Sequence, residues 1–300
     1  MTALAEGKAA GAATRERDLP EVAGSARPLR YLIAAVCVFV ITVMLAPIAL
    51  SFLASIKPAS EASASPPTYL PQAISFENYL KVFEFQAGLW TYVSNSLLVA
   101  MFTIILCLAL AVPAGYGLAR FKIRGKEFWF ILLLAPLMIP YQALLTPLYL
   151  MFSKLGLANS HFGLAMVHTI LQLPFSVYLM RNSIEAIPRE LEEAATIDGC
   201  SSLAVLRHIF LPLIVPAIVT VALFAFIMSW NEFLSALIFM NNENSFTVPI
   251  MLVSVRAGRL GAVDWGALQA GVILSILPCI LIYVLLQRYY VAGFLSGAVK

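Results

Sequence analysis

Residues able to do chemistry are sparse in this chain and fall into two groups. The first is a polar run, Glu193-Ala194-Ala195-Thr196-Ile197-Asp198-Gly199, followed after nine residues by Ile209-Phe210-Leu211-Pro212. Its carboxylates and small residues suit contact with another surface rather than the making or breaking of bonds. The second is a scatter of polar side chains inside apolar stretches: Asn95, Gln142, Gln172, Asn231 and Glu232. Such groups are costly there and usually face a bundle interior or water. These five are candidates for a solute path, and each could equally bond a neighbouring helix.

Patterns that would signal catalysis are missing. His161, His168 and His208 are scattered and form no HExxH pair, and His168 reads as a packed, hydrogen-bonded histidine rather than a proton relay. Cys37, Cys107, Cys200 and Cys279 form no CxxC pair, so neither a disulfide framework nor a zinc site is favoured. There is no GxxxxGK[ST] phosphate loop. Gly125-Lys126 lacks the upstream glycine and the following hydroxyl, and Gly115-Tyr116-Gly117 lies within an apolar run. No catalytic or metal site is expected, and ATP is not expected to bind this chain through the usual cradle.

The elements that position these residues follow from composition. The 300 residues are 61% hydrophobic and only 12% charged, with mean hydropathy +0.89, against about 25% charged in soluble domains. The net charge of +3 forms no basic stripe, so nucleic acid is not an expected partner. Six apolar runs stand out, at 31–56, 91–119, 128–152, 163–180, 211–240 and 266–286. Backbone groups in lipid must bond internally, so the expected fold is an all-α membrane protein with six transmembrane helices. Residues 1–30 read as a disordered tail, 31–286 as the membrane domain with a polar loop at 181–210, and 287–300 as a second tail. Lys and Arg crowd alternate loops, above all Arg120-Phe121-Lys122-Ile123-Arg124-Gly125-Lys126. By the positive-inside rule both termini are cytoplasmic.

Trp90, Trp129, Trp230 and Trp265 read as an interfacial belt. Prolines at 47, 113, 136, 140, 147, 174 and 278 remove helix hydrogen bonds and tend to kink the spans that hold them. Glu232 lies 20 residues beyond Pro212, or ~30 Å along a straight helix, which would put it near the outer boundary.

The polar interval has the start and stop signals of a helix. Pro188 suits a first turn, Glu190, Glu192 and Glu193 complement the dipole there, and Gly199 suits a left-handed stop. Ser201 or Ser202 can cap a second short helix running toward Pro212. Ile184, Ile187, Leu191 and Ala194/Ala195 share one face, while Glu185, Arg189 and Glu193 share another and can pair.

The sequence Glu-Ala-Ala, three residues, Gly, nine residues, Ile-x-Leu-Pro resembles the signature of permease subunits of bacterial ATP-binding-cassette importers. The likeness extends to Asn78-Tyr79, Trp230-Asn231-Glu232-Phe233 and Ser296-Gly297-Ala298-Val299-Lys300, which are similar to the carbohydrate-uptake, maltose-permease-like branch. Cys200 departs from the alanine often found after the signature glycine. The resemblance implies a type I importer permease fold in a bacterial inner membrane. It implies that Glu193, Ala194, Ala195, Asp198, Gly199, Ile209, Leu211 and Pro212 couple the chain to a separate ATPase. It also implies a homologous permease partner, two ATPase subunits carrying ATP and Mg²⁺, an extracytoplasmic solute-binding protein, and a cargo that is a sugar, an oligosaccharide or a sugar-like polyol derivative. The alternative is a stand-alone, ion-coupled transporter, which would take up solute without nucleotide.

Overall fold

The computed structural model describes residues 27–257 and 263–298. The tail expected at 1–30 therefore lies outside the described residues up to position 26, and helix is already present from Arg27. The described residues are helical, without a strand among them. In chain order the helices are α1 (Arg27–Ser55), α2 (Ala59–Ala62), α3 (Glu77–Phe83), α4 (Leu89–Arg120), α5 (Lys126–Leu134), α6 (Tyr141–Lys154) and α7 (His161–Glu185). There follow α8 (Glu190–Ile197), α9 (Ser202–Val205), α10 (Leu211–Leu213), α11 (Val215–Asn231), α12 (Leu234–Phe239), α13 (Val248–Ala257) and α14 (Trp265–Ala298).

The chain divides into two units, one ending at Ala49 and the other beginning at Leu50. The first is the greater part of α1, an apolar helix whose side chains, among the described residues, are exposed throughout. The second unit holds every residue of the candidate functional site described below.

Four helices, α1, α4, α7 and α14, are long and apolar enough to cross a membrane. Two bent pairs bring the number to six if each counts as one span. The first pair joins Lys126–Met138 to Tyr141–Lys154 at 101°. Pro136 sits at the start of a 3-10 turn and Pro140 at the N-cap of α6, so the break falls where two N–H donors are lost within five residues. By contrast Pro47, Pro113, Pro147, Pro174 and Pro278 lie inside helices that continue through them. The second pair joins Ser202–Leu213 to Val215–Asn231 at 77°. Pro212 cannot donate to the carbonyl one turn back, Pro216 follows two residues after Ile214, and a π-turn over Leu206–Phe210 precedes the bend.

The closest association in the second unit is α4 against α7, with α11 packed on both. Small residues permit it. A Cβ on Gly115 would stand 2.6 Å from the Cβ of Met180, so glycine lets the two backbones meet. At one end of this packing α3 is fastened by Asn78, whose amide donates to the carbonyls of Ser55 and Lys57 at 3.0 and 2.7 Å. Gly266 leaves room for that amide, because a Cβ there would meet Asn78 Oδ1 at 2.5 Å.

Two expectations need correction. Trp230 is buried, stacks on Phe226 and donates to Ser275 O at 3.1 Å, so only Trp90, Trp129 and Trp265 are exposed at helix ends. Glu185 pairs back to Arg181 at 2.9 Å rather than forward to Arg189, because α7 ends at Glu185 and the chain turns before α8 begins. Helix α14 runs on past the apolar run to Ala298, so the segment expected as a second tail is helical up to residue 298.

Candidate functional site: the segment from Glu190 to Pro212

Local chemistry builds this segment as its sequence suggests. Helix α8 carries Glu190, Glu192 and Glu193 in its first turn, where the dipole favours negative charge. It stops at Gly199, whose φ of +82° is accessible to glycine at little cost. The stop is closed by Gly199 N–H to Thr196 O at 3.1 Å and Cys200 N–H to Ala195 O at 2.9 Å. Ser201 then caps α9, its Oγ accepting from Ala204 N–H at 3.3 Å.

Burial separates the expected coupling residues into two sets. Glu193, Ala194, Asp198 and Gly199 are exposed. Around them Ile197 and Leu203 are 85% and 73% exposed, so the outward face is partly apolar. Ala195 turns inward and joins Tyr116, Met180, Ile184, Val205 and Phe210 in one core cluster. Ile209 and Leu211 pack on that cluster, whereas Pro212 is exposed. Of the signature alanines, therefore, Ala194 faces out and Ala195 anchors the helix.

Two arginines fasten this end of the bundle, and sequence reasoning assigned them only to charge asymmetry. Arg120, at the C-terminus of α4, has a side chain 2% exposed. Its Nη2 donates to Ile184 O at 2.6 Å and Ile187 O at 2.5 Å, on carbonyls at and just beyond the end of α7. The guanidinium carbon lies 4.9 Å from the centre of the Phe210 ring, and Nε lies 3.7 Å from Glu192 Oε2 on α8. Tyr116, one turn earlier, donates to the other oxygen of Glu192 at 3.4 Å. Arg181 forks onto Glu127 at 2.6 and 3.0 Å, holds Glu185 at 2.9 Å and covers the Phe130 ring at 4.1 Å. The available signal was an arginine four residues after a tyrosine at the end of an apolar run.

The five candidates for a solute path do not converge on one site. Asn95 donates to Asn244 O and Phe246 O at 2.8 and 2.9 Å and so pins a loop. Asn231 is exposed and donates to Ile227 O of its own helix at 2.8 Å. Gln172 is buried, and its Nε2 has no hydrogen-bond partner. Gln142 lines a cavity of about 650 Å³ between the first bent pair and α7, beside Tyr141, Pro136, Pro140 and Pro174.

Glu232 is buried, 9% exposed. The helix bends at Ile214 and breaks again after Asn231, so 20 residues do not run along one axis. Its carboxylate accepts N–H groups of Leu234, Ser235 and Ala236 and the Ser235 hydroxyl, capping α12. His168 lies 3.5 Å away. It contacts Ser229 Oγ through Nδ1 at 2.8 Å and Ser235 Oγ through Nε2 at 3.0 Å. It is thus the packed, bonded histidine the sequence suggested. Tyr141 lines the same cavity as Gln142.

Among the described residues, α8 and α9 thus form an exposed helical segment on the bundle. Residues 111–294 match the family described as binding-protein-dependent transport system inner membrane component. The probable ABC transporter permease protein YurM of Bacillus subtilis is 38% identical over 231 residues, covering 77% of this chain and 76% of the relative. The diacetylchitobiose uptake system permease protein DasC of Streptomyces coelicolor is 31% identical over 254 residues, covering 85% and 91%. A chain of a bacterial ABC transporter involved in import of the acidic polysaccharide alginate matches with a TM-score of 0.77 at 26% identity, covering 89% of this chain and 98% of that one. The chain belongs to the binding-protein-dependent transport system inner membrane components: it is a non-catalytic permease subunit of the inner membrane.

Proposed function

We propose that this chain is one permease half of an ATP-driven importer for a sugar or oligosaccharide. It crosses the membrane six times with both ends in the cytoplasm. It pairs with a homologous permease, two ATPase subunits that carry ATP and Mg²⁺, and an extracytoplasmic solute-binding protein. Six crossings are supported by the two bent pairs, each apolar enough to count as a span. The cargo class rests on relatives whose names specify diacetylchitobiose and alginate.

The observation that carries the reading is the outward face of α8 and α9. Ala194 is a small residue flanked by Ile197 and Leu203, which are far more exposed than their apolarity favours in water. An ATPase surface covers this patch. When the ATPases close around ATP they displace α8, and the bundle switches the side to which its cavity opens. Of the five path candidates, Gln142 is the one we assign to solute contact. Asn95, Asn231 and Glu232 are already engaged within the chain.

The test is a crosslink. In a background with the native cysteines replaced by serine, Ala194→Cys should capture the ATPase through a short bifunctional maleimide. Ala195→Cys, which faces the core, should capture at least about tenfold less. Equal capture from the two positions, or none from Ala194, would sink the assignment.

A further inference from the structure

We infer that Arg120 is the pin through which displacement of the α8 segment is passed to the membrane helices. The inference rests on the coupling reading above and adds the residue that carries the motion inward. Four elements meet on one guanidinium. It belongs to α4, bonds the carbonyls of Ile184 at the end of α7 and Ile187 beyond it, lies against Phe210 of the segment leading to α11, and faces Glu192 of α8. Of these elements, α4, α7 and α11 make up the closest packing of the bundle.

The contacts are unequal, and the inequality gives direction. Toward α7 the bonds are short and fixed, at 2.5 and 2.6 Å. Toward α8 the approach is 3.7 Å, an ion pair without a hydrogen bond, and Nε is buried with no hydrogen-bond partner. A buried, unsatisfied donor of a charged group is unfavourable. It is relieved when the Glu192 carboxylate moves about 0.8 Å closer, to ordinary charge-assisted distance. Glu192 is also held by Tyr116 of α4 at 3.4 Å, the long end of the range. Both contacts between α8 and α4 can therefore tighten together, while the α7 side stays locked. A push on α8 is met by α4 and α7 as one body.

The experiment uses the complete transporter in nanodiscs, with ATP and orthovanadate as the probe. Alkylation of Gln142→Cys by a membrane-impermeant maleimide, in the serine background, reports the state of the cavity. Two variants are compared. Glu192→Gln removes the charge while keeping an oxygen for Tyr116. Arg120→Lys keeps the charge but loses the planar fork. The expected result is that the nucleotide-dependent change in alkylation rate falls at least fivefold in each, within the usual range of coupling between sites. Vanadate-trapped nucleotide per complex and the Ala194→Cys crosslink to the ATPase stay within twofold of the parent.

Retention of the nucleotide-dependent change in both variants overturns the inference. So does a uniform loss of assembled complex with normal nucleotide response per complex, which is the mark of a purely structural residue. If the parent lacks the Ala194 crosslink, the coupling reading fails and takes this inference with it. If the crosslink is present and the variants respond normally, only the role of Arg120 fails.

Discussion

Substitution of Gly199 gives the sharpest test of whether the shape of the α8 stop matters. At φ +82° a side chain is strained, yet a Cβ there would meet nothing within 4 Å. The cost is therefore in the backbone and not in packing. For an ordinary L-residue it is about 1–2 kcal/mol, greater for a β-branched one and smallest for asparagine, which tolerates the left-handed region. If the docking-competent stop is disfavoured by about 2 kcal/mol, the competent fraction and the apparent ATPase affinity both fall about thirtyfold. The expected order of affinity is Gly199, then Asn, then Ala, then Val, with Asn within about threefold of the parent. The assay is binding of purified ATPase to the permease pair in nanodiscs, normalised to inserted protein. Gly199→Val binding as tightly as Gly199→Asn would refute the argument, because the two differ mainly in their tolerance of that backbone angle.

Other expectations follow from packing and burial. Gly266→Ala forces a methyl group against the Asn78 amide and should cost about 1–3 kcal/mol by overpacking; thermal aggregation in detergent should begin several degrees lower, and the loss should be less than additive with Asn78→Ala. Gly115→Ala presses on Met180 Cβ at 2.6 Å and should separate α4 from α7, measured as a widened spin-label distance between them. Glu232→Ala strips α12 of its cap, a loss of about 0.5–2 kcal/mol, whereas exposed Asn231→Ala should change thermal stability by under about 0.5 kcal/mol. Equal melting shifts for these two would contradict the burial described above.

What could be read from the sequence was short-range. Gly199, Ser201 and the acidic first turn of α8 act on neighbours within four residues, so their chemistry is written beside them. Pro136 and Pro140 announce a break for the same reason, since each removes a donor from its own turn. What escaped depends on distant partners. The burial of Glu232 is set by a break in its own helix together with His168, 64 residues earlier. Trp230 left the interface for a carbonyl 45 residues away. The work of Arg120 required knowing that α7 ends beside it, which a charge count along the chain does not contain.

The imidazole of His168 touches a hydroxyl on each side of the gap between α11 and α12, Ser229 before it and Ser235 after it. A gap spanned in this way is a splinted elbow and not a free joint: straightening or folding it further would tear at least one arm of the splint. The 77° bend at Ile214 lies outside that splint, so a shape change there would carry α12 along at a fixed angle to α11.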